Sequence, residues 1–309
     1  MKIKIGIPKS LLYYYYNDLW TNFFEYLNME IVESPNTNKE MLKKGETLLD
    51  DEACFSMKCF IGHVDYLKDK CDYILVPRLF CVKHQEEVCT NFNALYDIVN
   101  NLFDDAKILN YNVDLTTKDS ELLGFLNIGK ELGISYIKSY QAYKFAKKRE
   151  KELRKKRERI QENNLNKTGL KILLAAHPYN LYDEFIGKLI IKYLKREDIT
   201  IIYSDRINKD LIDSECMKLS TDIHWTHSKE VVASTNYYKD KVDGIILFSS
   251  FPCGPDSLSN ELICRKIKNI PILTLIFEDL NSEVGLYTRL ESYIDILRQK
   301  KEVQFEKSN

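Results

Sequence analysis

The sequence predicts an α/β protein in which two doubly wound, mainly parallel sheets are joined by a long charged helix. Three observations lead there. Short apolar runs that read as strands alternate with helical segments along both halves of the 309-residue chain. These runs are nearly continuous in apolar residues, as for strands covered on both faces. Between the halves, the stretch from Tyr136 to about Asn166 contains neither glycine nor proline and is dense in charge from Lys147 to Arg157.

In the first half, Lys2–Ile7 reads as a strand, followed by a helix from Ser10 to about Leu27 with Ser10 as its N-cap. Glu30–Glu33 reads as a second short strand, and Asp51–Leu67 as a loop turning into a helix. Asp72–Pro77 reads as a strand ended by its proline, and Phe92–Phe103 and Ser120–Leu132 as helices. In the second half the strands are Leu170–Leu174, Ile199–Tyr203, Val242–Phe248 and Pro271–Ile276. The helices are Asp183–Leu194, Ile207–Leu219, Ser228–Tyr238, Ser257–Lys266 and Glu283–Leu297. The expected organisation is an N-terminal α/β domain over 1–135, a connecting helix over 136–167, a C-terminal α/β domain over 168–300 and a tail over 301–309. No strong sequence repeat relates the halves. Each is expected to be Rossmann- or flavodoxin-like, with ligands in the crevice between them.

Composition narrows the function class. A hydrophobic content of 44% supports ordinary buried cores, and a formal net charge of −1 gives no reason to expect nucleic-acid or membrane binding. No apolar run approaches the ~18 residues of a membrane span. The start, Met1 to Pro8, reads as a strand and lacks the pattern of a signal peptide, so a cytoplasmic location is expected. Eight cysteines are then expected to be thiols or metal ligands rather than disulfides, and an anaerobic cytoplasm suits an exposed iron–sulfur site.

Three thiols share one kind of place. Cys54 opens an amphipathic helix, Cys89 ends the loop Arg78–Thr90 ahead of a helix near Phe92, and Cys253 precedes a helix opening near Ser257. A helix amino end favours the thiolate. Soft thiolates at loop-to-helix positions select zinc or an iron–sulfur cluster, whereas each thiol taken singly also reads as a small buried hydrophobe. Cys59, Cys71, Cys216 and Cys264 read as packing residues. Cys81 shares its loop with His84 and Cys89, and reads as either a fourth ligand or a surface thiol.

Other constellations are weaker. Walker and dinucleotide fingerprints, a nucleophile elbow and a His-Glu-x-x-His helix are all absent. His63, His177, His224 and His227 are scattered; His177 follows a strand and either faces the crevice or is satisfied by local backbone. The Tyr13–Tyr16 run suits core and interface packing better than a cofactor box. The charged helix is either a solvated face or a docking surface for an acidic partner or redox donor.

Several separated blocks carry a resemblance. Ile5-Gly6-Ile7-Pro8-Lys9, Asp51-Glu52-Ala53-Cys54, Gly62-His63-Val64, Val76-Pro77-Arg78 and Cys89 fall in the first half. His177-Pro178-Tyr179-Asn180, Ser249-Ser250-Phe251, Cys253-Gly254-Pro255-Asp256-Ser257 and Gly285-Leu286 with Thr288-Arg289-Leu290-Glu291 fall in the second. In these blocks the chain resembles a family of uncharacterised proteins related to 2-hydroxyacyl-CoA dehydratases and to the activases of those enzymes. The match spans nearly the whole chain except the charged helix and the tail. It departs at Thr90, where the family often has proline, and is partial around Glu278–Glu283.

The resemblance implies a [4Fe–4S] cluster, or a larger iron–sulfur cluster, held by Cys54, Cys89 and Cys253 with one iron open. It implies an ATP-dependent activator or reductase protein as electron donor, an acyl-CoA or small-molecule substrate, and a homodimer, since related subunits pair. On this reading the chain is a dehydratase- or reductase-type redox enzyme, with Lys9, Tyr179, Asn180, Ser250 and Asp256 as cluster-tuning or substrate contacts. Loop packing is the alternative role for each of the five, and for Asp256 capping of the following helix is the plainer one. The alternatives are a non-catalytic electron carrier, a cluster storage or assembly factor, and a cluster-free module that binds a nucleotide or CoA.

Overall fold

The computed structural model describes residues 2–277 and 283–308, so most of the partly matching segment Glu278–Glu283 lies outside the described residues. Two compact units divide the chain. The first comprises Met1–Lys156 with His224–Thr226, the second Arg157–Ile223 with His227–Asn309. The three later residues join the first unit through backbone pairing: Glu87 N donates to His224 O at 2.9 Å, and Thr226 N to Glu87 O at 2.9 Å.

In the first unit β1 (Lys4–Ile7), β2 (Glu30–Glu33), β3 (Tyr73–Leu79) and β4 (Ile108–Val113) form a parallel sheet in the order β2-β1-β3-β4. In the second, β5 (Lys171–Ala175), β6 (Thr200–Tyr203), β7 (Gly244–Ser250) and β8 (Ile272–Phe277) repeat that plan as β6-β5-β7-β8. Both sheets are doubly wound, and the winding reverses between β1 and β3 and between β5 and β7. The α/β fold expected from the sequence is present in both halves. Their common strand order is a repeat that the residues themselves do not display.

Parallel strands need crossover helices. The first unit supplies α1 (Tyr13–Tyr26), α2 (Lys39–Leu48), α3 (Phe55–Leu67), α4 (Thr90–Leu102) and α5 (Glu121–Glu131). The long helix α6 (Tyr136–Leu165) spans the boundary at Lys156. The second unit supplies α7 (Pro178–Tyr182), α8 (Gly187–Arg196), α9 (Ile212–Met217), α10 (Thr226–Tyr238), α11 (Gly254–Lys266) and α12 (Glu283–Ser308). In the first core, Tyr111 meets Trp20 and Phe125 at ring distances of 5.8 and 5.0 Å, and Phe23 meets Phe125 at 4.6 Å. Each such tilted pair adds about 0.5–1.5 kcal/mol beyond area burial. In the second core, Leu173 and Ala175 of β5, Ile245 and Leu247 of β7, Val232 of α10 and Ile263 of α11 pack together.

Several elements depart from the sequence reading, each for a local reason. Ser10 does not cap α1, which starts at Tyr13 behind Leu12 with no side-chain cap. Leu11 has φ 47, a left-handed turn that stops helical winding from reaching back to Ser10. Pro77 does not end its strand but sits inside β3, paired in register with Tyr111. Because β1 pairs only with Tyr73 and Ile74 of β3, Pro77 lies where that side of the ladder is already open, and its missing N–H is tolerated. Ile207–Leu219 is not one helix: it holds a 3-10 turn at Lys209–Leu211 and the short α9. Asp183–Leu194 resolves into the end of a loop and α8, and the final helix runs on to Ser308.

Two close approaches hold the front of the first unit. A Cβ on Gly45 would fall on the carbonyl oxygen of Lys58, and one on Gly62 on the carbonyl oxygen of Met41. So α2 and α3 cross backbone to backbone, and only glycines permit it. Next to Gly62, the fully buried His63 meets Ser34 Oγ through Nδ1 at 2.7 Å and Thr37 Oγ1 through Nε2 at 3.1 Å. A neutral imidazole, one nitrogen donating and one accepting, satisfies both hydroxyls. Burial, with Lys9 nearby, pushes its pKa down to about 3.

Two outcomes are expected. Gly62→Ala forces α2 and α3 apart and costs about 3 kcal/mol, read as a lower urea midpoint. His63 titrates at about 3 when folded but near 6.5 when unfolded, so its contribution is complete above pH 6.5. As pH falls below that value, stability drops by up to about 1.4 kcal/mol per unit, because the unfolded chain takes a proton the folded chain refuses. Urea unfolding at pH 7 and pH 5 should show this loss in the native chain and a smaller one in His63→Gln; equal losses would remove His63 as its source.

Candidate functional site

Because each crossover returns to the amino edge of its sheet, α3, α4 and α11, which lead into β3, β4 and β8, begin toward the carboxyl edge. All three begin with cysteine. Cys54 is the N-cap residue of α3, Cys89 of α4 and Cys253 of α11, each with extended or near-extended backbone and no side-chain cap. The α11 helix opens at Gly254, not near Ser257, so Cys253 stands directly at its amino end. All three thiols are partly exposed, and none of the eight cysteines is in a disulfide.

In the first unit, Asn91 lies in the opening turn of α4, two residues past Cys89, and its Nδ2 is 3.9 Å from Cys54 Sγ. The amino ends of α3 and α4 therefore lie side by side. No sequence signal pointed to Asn91. Lys9, just past β1, is turned toward the segment after β2: its N donates to Ser34 Oγ at 2.8 Å and its Nζ to Asn36 Oδ1 at 2.9 Å. Cys81 is buried, not a surface thiol, and donates to Lys83 O at 3.1 Å. Cys71 is a packing residue. Its sulfur fills the space that a Cβ on Gly6 would need, and burial pushes its pKa up to about 11.

In the second unit the switch point between β5 and β7 gathers a buried polar group. His177 caps α7 directly after β5, and its Nε2 is 2.5 Å from Asp256 Oδ1 in the first turn of α11. Asp256 thus holds an imidazole instead of capping its own helix, and it sits three residues past Cys253. The Tyr179 ring stacks on His177 at 5.1 Å, and His227 meets His177 edge-on at 6.3 Å. Asn180, fully buried, donates its backbone N–H to His177 O at 2.9 Å, and Ser250 ends β7 in the interior. Asp256 Oδ2 is buried and accepts no hydrogen bond from the described residues. Burial, reinforced by His177 and Lys209, holds His227 well below the usual histidine range.

In the second unit the structure therefore gathers Tyr179, Asn180, Ser250, Asp256 and Cys253 around one switch point, while Cys54 and Cys89 belong to the first unit. His177 and His227, scattered in sequence, are neighbours. For His177 the signal was its place after a strand; for His227, fifty residues on, nothing local marked it. The contact of Asp256 Oδ1 with His177 Nε2 is a carboxylate–imidazole pair that fixes the orientation of the ring. Among the described residues no three His, Cys, Asp or Glu side chains stand together as a group that could hold a metal ion. By donor chemistry the residues that fit an iron–sulfur cluster are the thiols at the helix amino ends, soft ligands where negative charge is favoured.

A cavity of about 630 Å³ lies elsewhere in the second unit, against Leu170, Ile199, Arg298 and Lys301 near the starts of β5 and β6. Its cations are already engaged, Arg298 with Glu197 at 3.3 Å and Lys301 with Asp243 at 3.0 Å. It touches none of the residues above. Among the described residues no helix is long and apolar enough to cross a membrane.

No curated protein matches the chain in sequence. In structure it is similar to the SBP FpvC from Pseudomonas aeruginosa in complex with Mn2+, at 12% identity over 98% of this chain and 100% of that one, with a TM-score of 0.30. A Cd-bound periplasmic metal binding protein from Candidatus Liberibacter asiaticus gives 11% identity, 96% and 99% coverage and a TM-score of 0.28. The AdcAII protein of Streptococcus pneumoniae gives 10%, 96% and 98%, and 0.29. Likeness this low carries nothing about binding or activity. The family described as CoA enzyme activase uncharacterised domain (DUF2229) matches residues 4–207, a span that holds Cys54, Cys89 and His177 and stops before Cys253. With two thirds of its length inside that match, from β1 to the turn after β6, the chain belongs to the CoA enzyme activase uncharacterised domain family.

Proposed function

We propose that this chain is an iron–sulfur protein of the CoA-enzyme activase and dehydratase system, in which Cys54, Cys89 and Cys253 hold a [4Fe–4S] cluster. It takes low-potential electrons from an ATP-hydrolysing partner and works on an acyl-CoA or related small substrate. Membership of the activase-related family supports the theme. The observation that carries the ligand set is that each of these three cysteines, and no other of the eight, is the N-cap residue of a 13-residue helix. When bound, such a cluster supplies an electron and an open iron that acts as a Lewis acid.

The chain's own residues have definite tasks on this reading. The amino ends of α3, α4 and α11 stabilise the thiolate form of the ligands. The Asn91 amide beside Cys54 contributes an N–H near sulfur, which raises a cluster's potential. Asp256 orients His177 and Tyr179 stacks against it, so the imidazole is held in a fixed place beside the amino end of α11. Cys71 stays protonated and Cys81 is hydrogen-bonded inside its loop, which leaves both out of the ligand set.

The test is anaerobic reconstitution followed by iron and sulfide counting and electron paramagnetic resonance of the reduced protein. About four irons per chain are expected. Cys54→Ser, Cys89→Ser and Cys253→Ser should each lose the cluster signal, whereas Cys71→Ser and Cys264→Ser should keep it. Fewer than about two irons per chain would overturn the assignment. A reconstituted protein that is reversibly reduced but turns over no acyl-CoA would instead make it an electron carrier.

A further inference from the structure

The helix α6 carries eleven Lys and Arg against four Glu, a net +7, in a chain whose formal net charge is −1. That charge is not spread evenly around the helix. Ser139, Ala142 and Ala146 form its buried face, flanked by Tyr143 and Lys147, which Glu121 of α5 binds at 2.9 Å each. Opposite them, Lys144, Lys148, Lys151 and Lys155 are all exposed, at spacings of four, three and four residues. At 3.6 residues per turn these side chains fall in one stripe about 17 Å long. Lys147 is engaged by Glu121 and Glu150, but none of the four stripe lysines makes an ion pair with a described residue.

The same face continues toward the start of the helix as an apolar patch. Ile137 and Tyr140 fall on the stripe and Tyr136 beside it, with exposures of 70, 40 and 67%. Single exposed apolar residues are ordinary. Three adjoining ones at the head of an unpaired row of charge form the two parts of an interface: an aromatic and aliphatic anchor, and a steering field.

The geometry points to this outward face of α6 as the docking surface for a partner protein whose own surface carries a row of carboxylates beside an apolar patch. Charge complementarity chooses the carboxylates. The adjoining Tyr136, Ile137 and Tyr140 choose a protein over nucleic acid: an apolar anchor at the head of the row is matched by an apolar patch on a protein and not by a phosphate backbone. The lysine ammonium groups act at the rim of a contact, where they raise the on-rate of a transient complex. The inference stands apart from the cluster, since α6 contains no cysteine.

The test uses the full chain and a synthetic helical peptide with glutamates at the four-three-four spacing and leucines ahead of them. A version with glutamine for glutamate, oligothymidine and phosphatidylserine vesicles serve as competing probes. The glutamate peptide should bind, and binding should weaken as salt is raised. Lys148→Glu with Lys151→Glu should weaken it about tenfold, whereas Lys138→Glu with Lys156→Glu, the same charge change on another exposed face of α6, should alter it less than about twofold. Ile137→Ala with Tyr140→Ala should also weaken it. Lys148→Gln with Lys151→Gln, which is gentler on the fold, should give an intermediate loss. Equal losses for the two charge-reversed pairs, no binding of the glutamate peptide, or tighter binding of oligothymidine or vesicles would overturn the proposal. So would self-association of the native chain that depends on Lys148 and Lys151.

Discussion

Parallel pairing forces every connection within each sheet to cross back over it, and that constraint places the cysteines and histidine that open its helices. A strand delivers the chain to the carboxyl edge, and the helix that returns it leads into the next strand from the amino edge. The residue that opens such a helix has an extended backbone, a partial positive field from the helix ahead of it, and no obligation to the sheet. Cys54, Cys89 and Cys253 occupy that position on α3, α4 and α11. His177 occupies it after β5, where the short α7 begins with Pro178.

Around those positions the two units solve the packing problem differently. The first relies on glycine: Gly45 and Gly62 let α2 and α3 touch through their backbones, and Gly6 leaves room for the Cys71 sulfur. His63 beside this crossing is a structural residue, held neutral between two hydroxyls. The second unit fills part of its interior with polar groups instead. His177, His227, Asp256, Asn180 and Ser250 are all buried close to the switch point. Interior polar groups cost stability unless they are bonded, and here the His177–Asp256 pair supplies part of that bonding at the edge where α/β sheets take their ligands. Four blocks of the family resemblance thus divide into two kinds. Gly62-His63 and Gly6 serve packing, whereas His177 and Asp256 meet at the switch point of the second sheet.

The electrostatics of the chain are local rather than global. A net charge of −1 conceals the segregation of +7 onto α6, where Lys147 pairs with Glu121 and Glu150 on one side while the lysine stripe on the other faces solvent. Binding surfaces are therefore poorly judged here from overall charge.

Much of this was legible in the amino-acid sequence. Seven of the eight strands were legible, most plainly β5, β6 and β7, whose near-continuous apolar runs reflect burial on both faces. The absence of glycine and proline marked α6, and the thiols at loop-to-helix junctions were visible as such. What escaped was whatever depends on a neighbour. The strand β4 carries Asn110 and Asn112 and has weak strand propensity, yet β3 imposes pairing on all six of its residues. Pro77 read as a terminator because its tolerance depends on where β1 stops. The meeting of His177 with Asp256 and His227, of Asn91 with Cys54, and of α2 with α3 joins residues distant along the chain. Sequence alone determined the element types and the chemical character of each junction, since backbone preference and burial are local properties. Only the tertiary structure decided which junctions within each unit become neighbours, because parallel topology, and not proximity in sequence, selects them.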